Sequence, residues 1–172
     1  VSERWSIKLN FTDALGYLRG VEAGKFFAPA NPICEVIVRS EMGFQDRKAT
    51  ALKLTASFNV NFEKPRVETC TTGVSVIAVP VVIDNEFVGC AYADGFVVED
   101  NAAAQYETIK NYLQRNVPDS GVDPQELSTL NTKDVSFLTT LIQLVVDNLS
   151  ESQNTIEVKK QTIGELSTEI LG

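Results

Sequence analysis

The chain has 172 residues, of which 44% are apolar and 22% are charged, a composition typical of one globular domain with its own core. Its formal net charge of −8, without a concentrated basic patch, argues against direct binding to nucleic acid. Histidine is absent, which excludes a Ser-His-Asp or Cys-His catalytic pair and removes the commonest metal ligand.

The cysteines and the chain ends indicate the cellular setting. The chain has three cysteines, Cys34, Cys70 and Cys90, and their odd number and wide spacing favour reduced thiols in a cytoplasmic protein. The N-terminus does not resemble a signal peptide, and no apolar run approaches the roughly 20 residues that a membrane span needs. Because the chain begins without Met and stops within a repeating pattern, we expect it to be a fragment of a longer cytoplasmic protein without membrane contact.

The N-terminal part of the chain shows helical patterns. Residues 12–23 place apolar side chains at helical spacing after Thr12, which can cap a helix. Residues 33–39 are short and β-branched, and fit either a strand or a helical turn. Residues 43–59 have a helical composition. The densest basic group of the chain lies there and is interpreted as a solvated helix face: Arg47, Lys48 and Lys53.

The middle of the chain predicts a β-hairpin. Residues 74–83 and 87–98 form two apolar runs that are joined by the polar turn 84–86. Both runs are apolar on both faces, which is typical of central strands, and Pro80 predicts a local break in the pairing. Polar side chains alternate along the second strand and therefore share one face of the sheet: Cys90, Tyr92 and Asp94.

Two further helices follow the hairpin. Residues 99–116 carry apolar side chains on one face and predict an amphipathic helix. Asp123 followed by Pro124 predicts the start of a short helix, and Thr132 predicts the cap of a long one.

The C-terminal part of the chain carries a seven-residue apolar repeat. Its a positions are apolar throughout: Ile142, Leu149, Ile156, Ile163 and Ile170. Its d positions are apolar at the ends and polar in the middle: Val145, Ser152, Lys159 and Leu166. Such a repeat predicts a two-stranded coiled coil, and hence a homodimer. The alternative is a long core helix with a frayed end.

These elements together resemble the GAF/PAS class of sensor domains. Residues 31–38 and 70–96 narrow the resemblance to the ligand-binding sensory domain named after the PocR regulator. The matching positions are a first cysteine, a Cys-x-x-Gly element, a Val-Pro-Val segment and a glycine-containing strand: Cys34; Cys70 and Gly73; Val79, Pro80 and Val81; Gly89 and Gly95. The chain departs from the pattern because residues 43–55 lack a cysteine and Thr71 stands where histidine is usual. If family members bind a metal through cysteines, these departures imply that this chain has lost that site.

The resemblance implies a function as well as a fold. The fold would be α+β, GAF/PAS-like, with a central antiparallel sheet flanked by helices. Residues 1–131 would form a bacterial sensory domain that binds a small organic ligand, with no cofactor, no metal and no enzymatic activity. Residues 132–172 would form the dimerising helix that leads to an output module, such as a transcription activator, a kinase, a chemoreceptor signalling domain or a cyclase.

Polar groups beside the central strands indicate where a ligand could bind, because a few such groups orient a ligand in an otherwise apolar pocket. The candidate ligand-binding residues are Cys34, Glu68, Cys70, Thr71, Thr72, Cys90, Tyr92 and Asp94. Each also has an ordinary structural explanation, since free cysteines are often core residues and threonine hydroxyls often satisfy turns.

Two other functions stay open on the sequence alone. A GAF-type thiol redox enzyme, like those that reduce free methionine sulfoxide, needs a thiolate and a resolving thiol. Cys70 and Cys90 lie close enough in the predicted hairpin to be considered as that pair. A pure dimerisation module that binds no ligand is the second alternative, and it would have a fully packed interior.

Overall fold

The computed structural model describes residues 7–13, 31–60 and 64–171, with side chains in the last range as far as residue 151. The strands are β1 (Lys8–Asp13), β2 (Arg66–Thr69), β3 (Ser75–Ile83), β4 (Glu86–Val98) and β5 (Ser128–Leu130). The helices are α1 (Pro32–Arg39), α2 (Glu41–Val60), α3 (Ala102–Asn116) and α4 (Thr132–Leu171), with short 3-10 turns at Glu99–Asn101 and Pro124–Glu126. The predicted α+β class is therefore confirmed.

The sheet is built around the β3–β4 hairpin. Four antiparallel strands lie in the order β1-β4-β3-β2, and the short β5 pairs with the end of β4 in parallel. The hairpin turn has two residues, Asp84 and Asn85, which both adopt positive φ (51° and 62°), the geometry that suits the twist of paired strands. Glu86 belongs to β4 rather than to the turn. The irregularity predicted at Pro80 falls one residue later, between Val81 and Val82.

The hairpin presents two different faces to two different helices. On one face, Ile77 and Val79 of β3 and Ala91 and Ala93 of β4 belong to a core cluster with the first part of α4. The α4 members of that cluster are Val135, Leu138, Ile142 and Val146. On the opposite face, strand side chains pack against α2 in a second cluster: Val76, Ala78, Cys90 and Tyr92 with Leu54 and Phe58. The sheet thus separates α2 from α4.

A bulge near the end of β4 changes which side chains face which helix. Ser75 pairs with Phe96 and Val76 pairs with Asp94, so Gly95 is the extra residue. Its φ of +98° lies in the region that favours glycine. Because of this extra residue, Phe96 joins the α4 face although Asp94, two positions earlier, belongs to the α2 face.

Two sequence-based expectations are corrected by these elements, and one alternative left open for residues 33–39 is decided. Thr12 lies in β1 opposite Cys90, because strand pairing outweighs the local helical pattern, and residues 14–23 of the predicted helix lie outside the described residues. Residues 33–39 are helical rather than extended, since the side chain of Asn31 caps α1 by accepting from the backbone N–H of Cys34 at 2.8 Å. Asn131 rather than Thr132 caps α4, by accepting from the N–H of Asp134 at 2.9 Å.

Among the described residues, no helix combines the length and the hydropathy that crossing a membrane requires.

Candidate functional site

A small cavity lies between the sheet and the α1–α2 pair. The space inside it that water molecules can occupy is about 40 Å³. Its apolar walls come from all three elements around it: Ile37, Ala51, Leu54, Val74 and Val76. Its polar side chains are carried by α2, by the turn before β3 and by β4: Asp46, Arg47, Thr50, Thr72, Tyr92 and Asp94. Two thiols, Cys34 and Cys70, complete the lining. A mainly apolar wall with a few convergent polar groups is typical of small-molecule sites.

The central polar feature of the cavity is an ion pair between Arg47 of α2 and Asp94 of β4. Both partners are nearly enclosed, with side-chain exposures of 13% and 9%. Burial raises the pKa of Asp94, and the neighbouring Arg47 guanidinium lowers it only in part. A buried ion pair is stable only if the remaining polar atoms of both partners also find hydrogen bonds.

Several of those polar atoms have no such partner. Oδ1 of Asp94, Nε of Arg47 and the hydroxyl of Tyr92 are all buried, and none makes a hydrogen bond with a described residue. Burial also raises the pKa of Tyr92, so the phenol is neutral and can donate a hydrogen bond. An unmade hydrogen bond at a buried polar atom costs about 1–3 kcal/mol. The cavity therefore has an unsatisfied acceptor and two unsatisfied donors on its wall.

Side chains of helix α3 form hydrogen bonds with two of the segments that line the cavity. The Tyr112 hydroxyl donates to Oδ2 of Asp46 at 2.6 Å, next to Arg47 along α2. Gln105 is buried, and its side-chain amide donates to the carbonyl of Gly73 at 2.8 Å and to the Ser75 hydroxyl at 2.7 Å. Gly73 has a φ of +92°, so the turn that carries Cys70 and Thr72 depends on glycine at this position and on Gln105.

The three thiols have environments that disfavour thiolate chemistry. Burial raises the pKa of Cys34 and of Cys90 to about 12 in each case, and it also raises the pKa of Cys70. Sγ of Cys70 lies 2.8 Å from the Thr72 hydroxyl and shares a hydrogen bond with it. None of the three cysteines forms a disulfide, and no cluster of three metal-ligating side chains exists within the described part of the chain.

Cys70 and Cys90 are too far apart to act as a redox pair. Cys90 pairs with Pro80, whereas the N–H of Cys70 bonds to Val74 just before β3 begins. The five steps from Ser75 to Pro80 alone span roughly 17 Å at about 3.3 Å per residue. A disulfide needs α-carbons about 4.4–6.8 Å apart. Their closeness in the predicted hairpin is therefore not realised, because the residues lie at different heights along β3.

The cavity brings together five of the eight candidate residues: Cys34, Cys70, Thr72, Tyr92 and Asp94. The other three lie elsewhere. Glu68 forms an ion pair with Lys53 at 3.5 Å, Thr71 is an exposed turn residue, and Cys90 is buried in the α2-face cluster. Cys90, Tyr92 and Asp94 do share one face of β4, as their alternation predicted.

The sequence interpretation placed Arg47 on a solvated helix face. That interpretation is wrong, because the Arg47 side chain is nearly enclosed and contacts Asp94. A signal for it was present. Arg47 is four, seven and eleven residues before Ala51, Leu54 and Phe58, so it lies on the same stripe of α2 that faces the sheet. A charged residue on a buried helical stripe requires a partner, and Asp94 was the carboxylate on the central strand.

Comparison with known proteins identifies the family. The family described as the sensory domain found in PocR matches residues 21–154, which include the cavity and the first half of α4. No curated protein and no solved structure is significantly similar to the chain. The match covers well over half of the chain, and the chain therefore belongs to the PocR sensory domain family.

Proposed function

We propose that this chain is the input domain of a bacterial cytoplasmic signalling protein, and that it binds a small organic ligand in the cavity between α2 and the sheet. The observation that carries the proposal is the set of buried polar atoms on the cavity wall, at Arg47, Tyr92 and Asp94, that have no partner among the described residues. Folded proteins rarely leave such atoms without a partner, and a ligand supplies one. The raised pKa values of all three thiols support binding rather than thiol catalysis.

The sheet provides a direct route from the cavity to α4. Tyr92 and Asp94 face the cavity, and Ala91 and Ala93 between them face the core cluster beneath α4. A ligand that shifts β4 must therefore change the surface on which α4 packs, because side chains alternate between the two faces of one strand. We propose that ligand binding favours one packing of α4 over another, within a GAF/PAS-like arrangement of sheet and helices.

The first part of the apolar repeat of α4 packs against the sheet. Ile142, the first a position of the repeat, is buried in the core cluster. The next repeat positions, Val145 and Leu149, are exposed by 40% and 55%, and we call the repeat positions that face the second copy the seam. The side chains of four further predicted seam residues lie outside the described residues: Ile156, Ile163, Leu166 and Ile170. We propose that residues 1–131 form the sensory unit, that residues 132–172 form the transmitting helix, and that the repeat from Val145 onward pairs two copies into a homodimer.

The ligand site is tested by filling the cavity. Ala51→Leu adds three carbons to a residue on the cavity wall, and Ala56→Leu makes the same change at an exposed position of the same helix. Each protein is purified from its producing cells and studied by native mass spectrometry, gently and then under denaturing conditions. We expect a bound small molecule on the wild-type protein and on Ala56→Leu, and none on Ala51→Leu. Equal ligand occupancy in both variants would exclude the cavity as the site.

The dimer is tested separately. Val145→Glu combined with Leu149→Glu places charges on the exposed part of the repeat, and Thr140→Glu places one on an exposed position elsewhere on the helix. Sedimentation should show a monomer for the double variant and a dimer for the control. Conversely, Ser152→Leu with Lys159→Leu should lock the dimer and abolish the ligand response of the full-length protein. A locked dimer that still responds would contradict transmission through this seam.

A further inference from the structure

The ion pair in the cavity restricts the charge of what can bind there. Arg47 and Asp94 are both buried and lie in direct contact, so their formal charges cancel within the cavity wall. A carboxylate ligand would compete with Asp94 for the guanidinium, and an ammonium ligand would compete with Arg47 for the carboxylate. Either one would leave an uncompensated charge in an enclosed space, which is strongly unfavourable.

The unsatisfied atoms restrict the ligand further. Oδ1 of Asp94 can only accept a hydrogen bond, whereas Nε of Arg47 and the neutral Tyr92 hydroxyl can donate. A ligand that satisfies them must offer one donor to Asp94 and one acceptor to Arg47 or Tyr92. Because Arg47 and Asp94 touch each other, that donor and that acceptor must be close together in the ligand.

The size of the cavity sets the scale of the ligand. A water molecule needs about 10–15 Å³ of such space, so about 40 Å³ accommodates about three waters. This space fits a small molecule of about four heavy atoms, or the polar end of a larger one.

We infer that the Arg47–Asp94 pair makes this cavity selective for an uncharged ligand in which a hydrogen-bond donor lies beside an acceptor, the arrangement found in a primary amide. The inference rests on the proposed ligand-binding function and names the ligand chemistry that the site accepts. Arg47 and Asp94 act as specificity-determining residues, because each one neutralises the charge that the other would otherwise recruit.

Three planar probes of the same size test the inference: acetamide is neutral, acetate is an anion and acetamidinium is a cation. Acetamide offers a donor beside an acceptor, whereas acetate offers acceptors only and acetamidinium donors only. Titrations are followed by the backbone amide NMR signals of Thr72, Tyr92 and Asp94 in the wild-type chain. We expect acetamide to bind at least about a hundredfold more tightly than either charged probe, because each charged probe leaves a buried charge unpaired. Ala51→Leu should abolish the acetamide shifts, and Ala56→Leu should retain them.

Changing one partner should reverse the selectivity. In Asp94→Asn the Arg47 charge is left alone, so acetate should bind better than acetamide and should raise the thermal unfolding temperature of this variant more than that of the wild type. In Arg47→Gln the Asp94 charge is left alone. Acetamidinium should therefore bind this variant better than acetamide does, and should raise its thermal unfolding temperature more than that of the wild type. If either variant fails to fold with and without its probe, the wild-type probe series decides.

The outcomes separate this inference from the function on which it rests. Preference for acetamide in the wild type, with or without the reversal, supports it. Binding of acetate or acetamidinium as tight as that of acetamide overturns the inference and leaves the cavity as a ligand site. Absence of shifts with all three probes, together with a ligand-free wild-type protein in native mass spectrometry, overturns both.

Discussion

The two faces of the β3–β4 hairpin differ in how completely they are packed. The face beneath α4 is covered by aliphatic side chains such as Leu138 and Ile77, which are both fully buried. The face beneath α2 holds a buried ion pair and a cavity that is lined by two thiols. The same strand supplies both faces, yet one is suited to stability and the other contains polar groups that lower it. Polar groups retained at such a cost support the proposal that this face carries the ligand site.

The sharpest test of this difference is to remove one partner of the buried ion pair. Arg47→Met leaves the Asp94 carboxylate buried without a counter-charge and should lower the free energy of unfolding by about 3–5 kcal/mol. The double variant Arg47→Met, Asp94→Leu removes both charges and should regain most of that loss. Chemical denaturation of the wild type and the variants measures it. A double variant as unstable as the single one would mean that the pair itself stabilises the fold.

Two leucine truncations compare the faces directly. Leu138 of α4 and Leu54 of α2 are both buried, on opposite sides of the sheet. Leu138→Ala should cost about 3–4 kcal/mol of unfolding free energy, in the usual range for a tightly packed site. Leu54→Ala should cost about 1 kcal/mol less, because Leu54 already lines a cavity and water can occupy the enlarged, partly polar space. Equal costs would contradict the difference in packing between the two faces.

The buried thiols predict a decline of stability at alkaline pH. The pKa of Cys34 and of Cys90 is about 12 in the folded protein, above the ordinary thiol value of 9.0. The folded state therefore holds these protons more firmly than the unfolded state does. This contribution is fully present below pH 9 and is lost between pH 9 and 12, by about 1 kcal/mol per thiol for each pH unit.

Unfolding measurements as a function of pH test that decline. Cys90→Ala should reduce the slope just above pH 9 by less than half, because Cys34 and Cys70 continue to contribute. An unchanged slope in this variant would show that another group causes the alkaline loss.

The smallest effect is expected at an exposed ion pair of the same chemical type. Lys53 and Glu68 lie 3.5 Å apart, and the Lys53 side chain is 77% exposed. Lys53→Ala should change the free energy of unfolding by less than about 0.5 kcal/mol, because solvent already screens this pair. A loss comparable to that of Arg47→Met would contradict burial as the origin of the difference between the two pairs.

Local patterns were sufficient to predict the hairpin and the longer helices. Two uninterrupted apolar runs around Asp84 and Asn85 predict central strands. The alternation of Tyr92 and Asp94 was also sufficient to place them on one face. These features depend on residues that are near one another in the chain.

The features that were missed depend on distant residues. Strand β1 exists because it pairs with β4, about 80 residues later, and its own sequence gives no comparable signal. The helical stripe indicates that Arg47 needs a buried partner, but only the sheet identifies Asp94 as that partner. Gln105 likewise gains its role only when α3 packs beside the turn at Gly73. A single sequence without its fold does not specify such pairings.

Because α4 is long, a small tilt where it leaves the sheet produces a larger displacement at its far end. Val146 is its last residue in the core cluster, and the helix continues to Leu171, a further 25 residues or about 38 Å at about 1.5 Å per residue. A tilt of only about 5° where the helix leaves the sheet displaces its far end by roughly 3 Å over that length. A movement of β4 too small to disturb the core can therefore become a displacement at the end of α4 that is large enough to repack an interface.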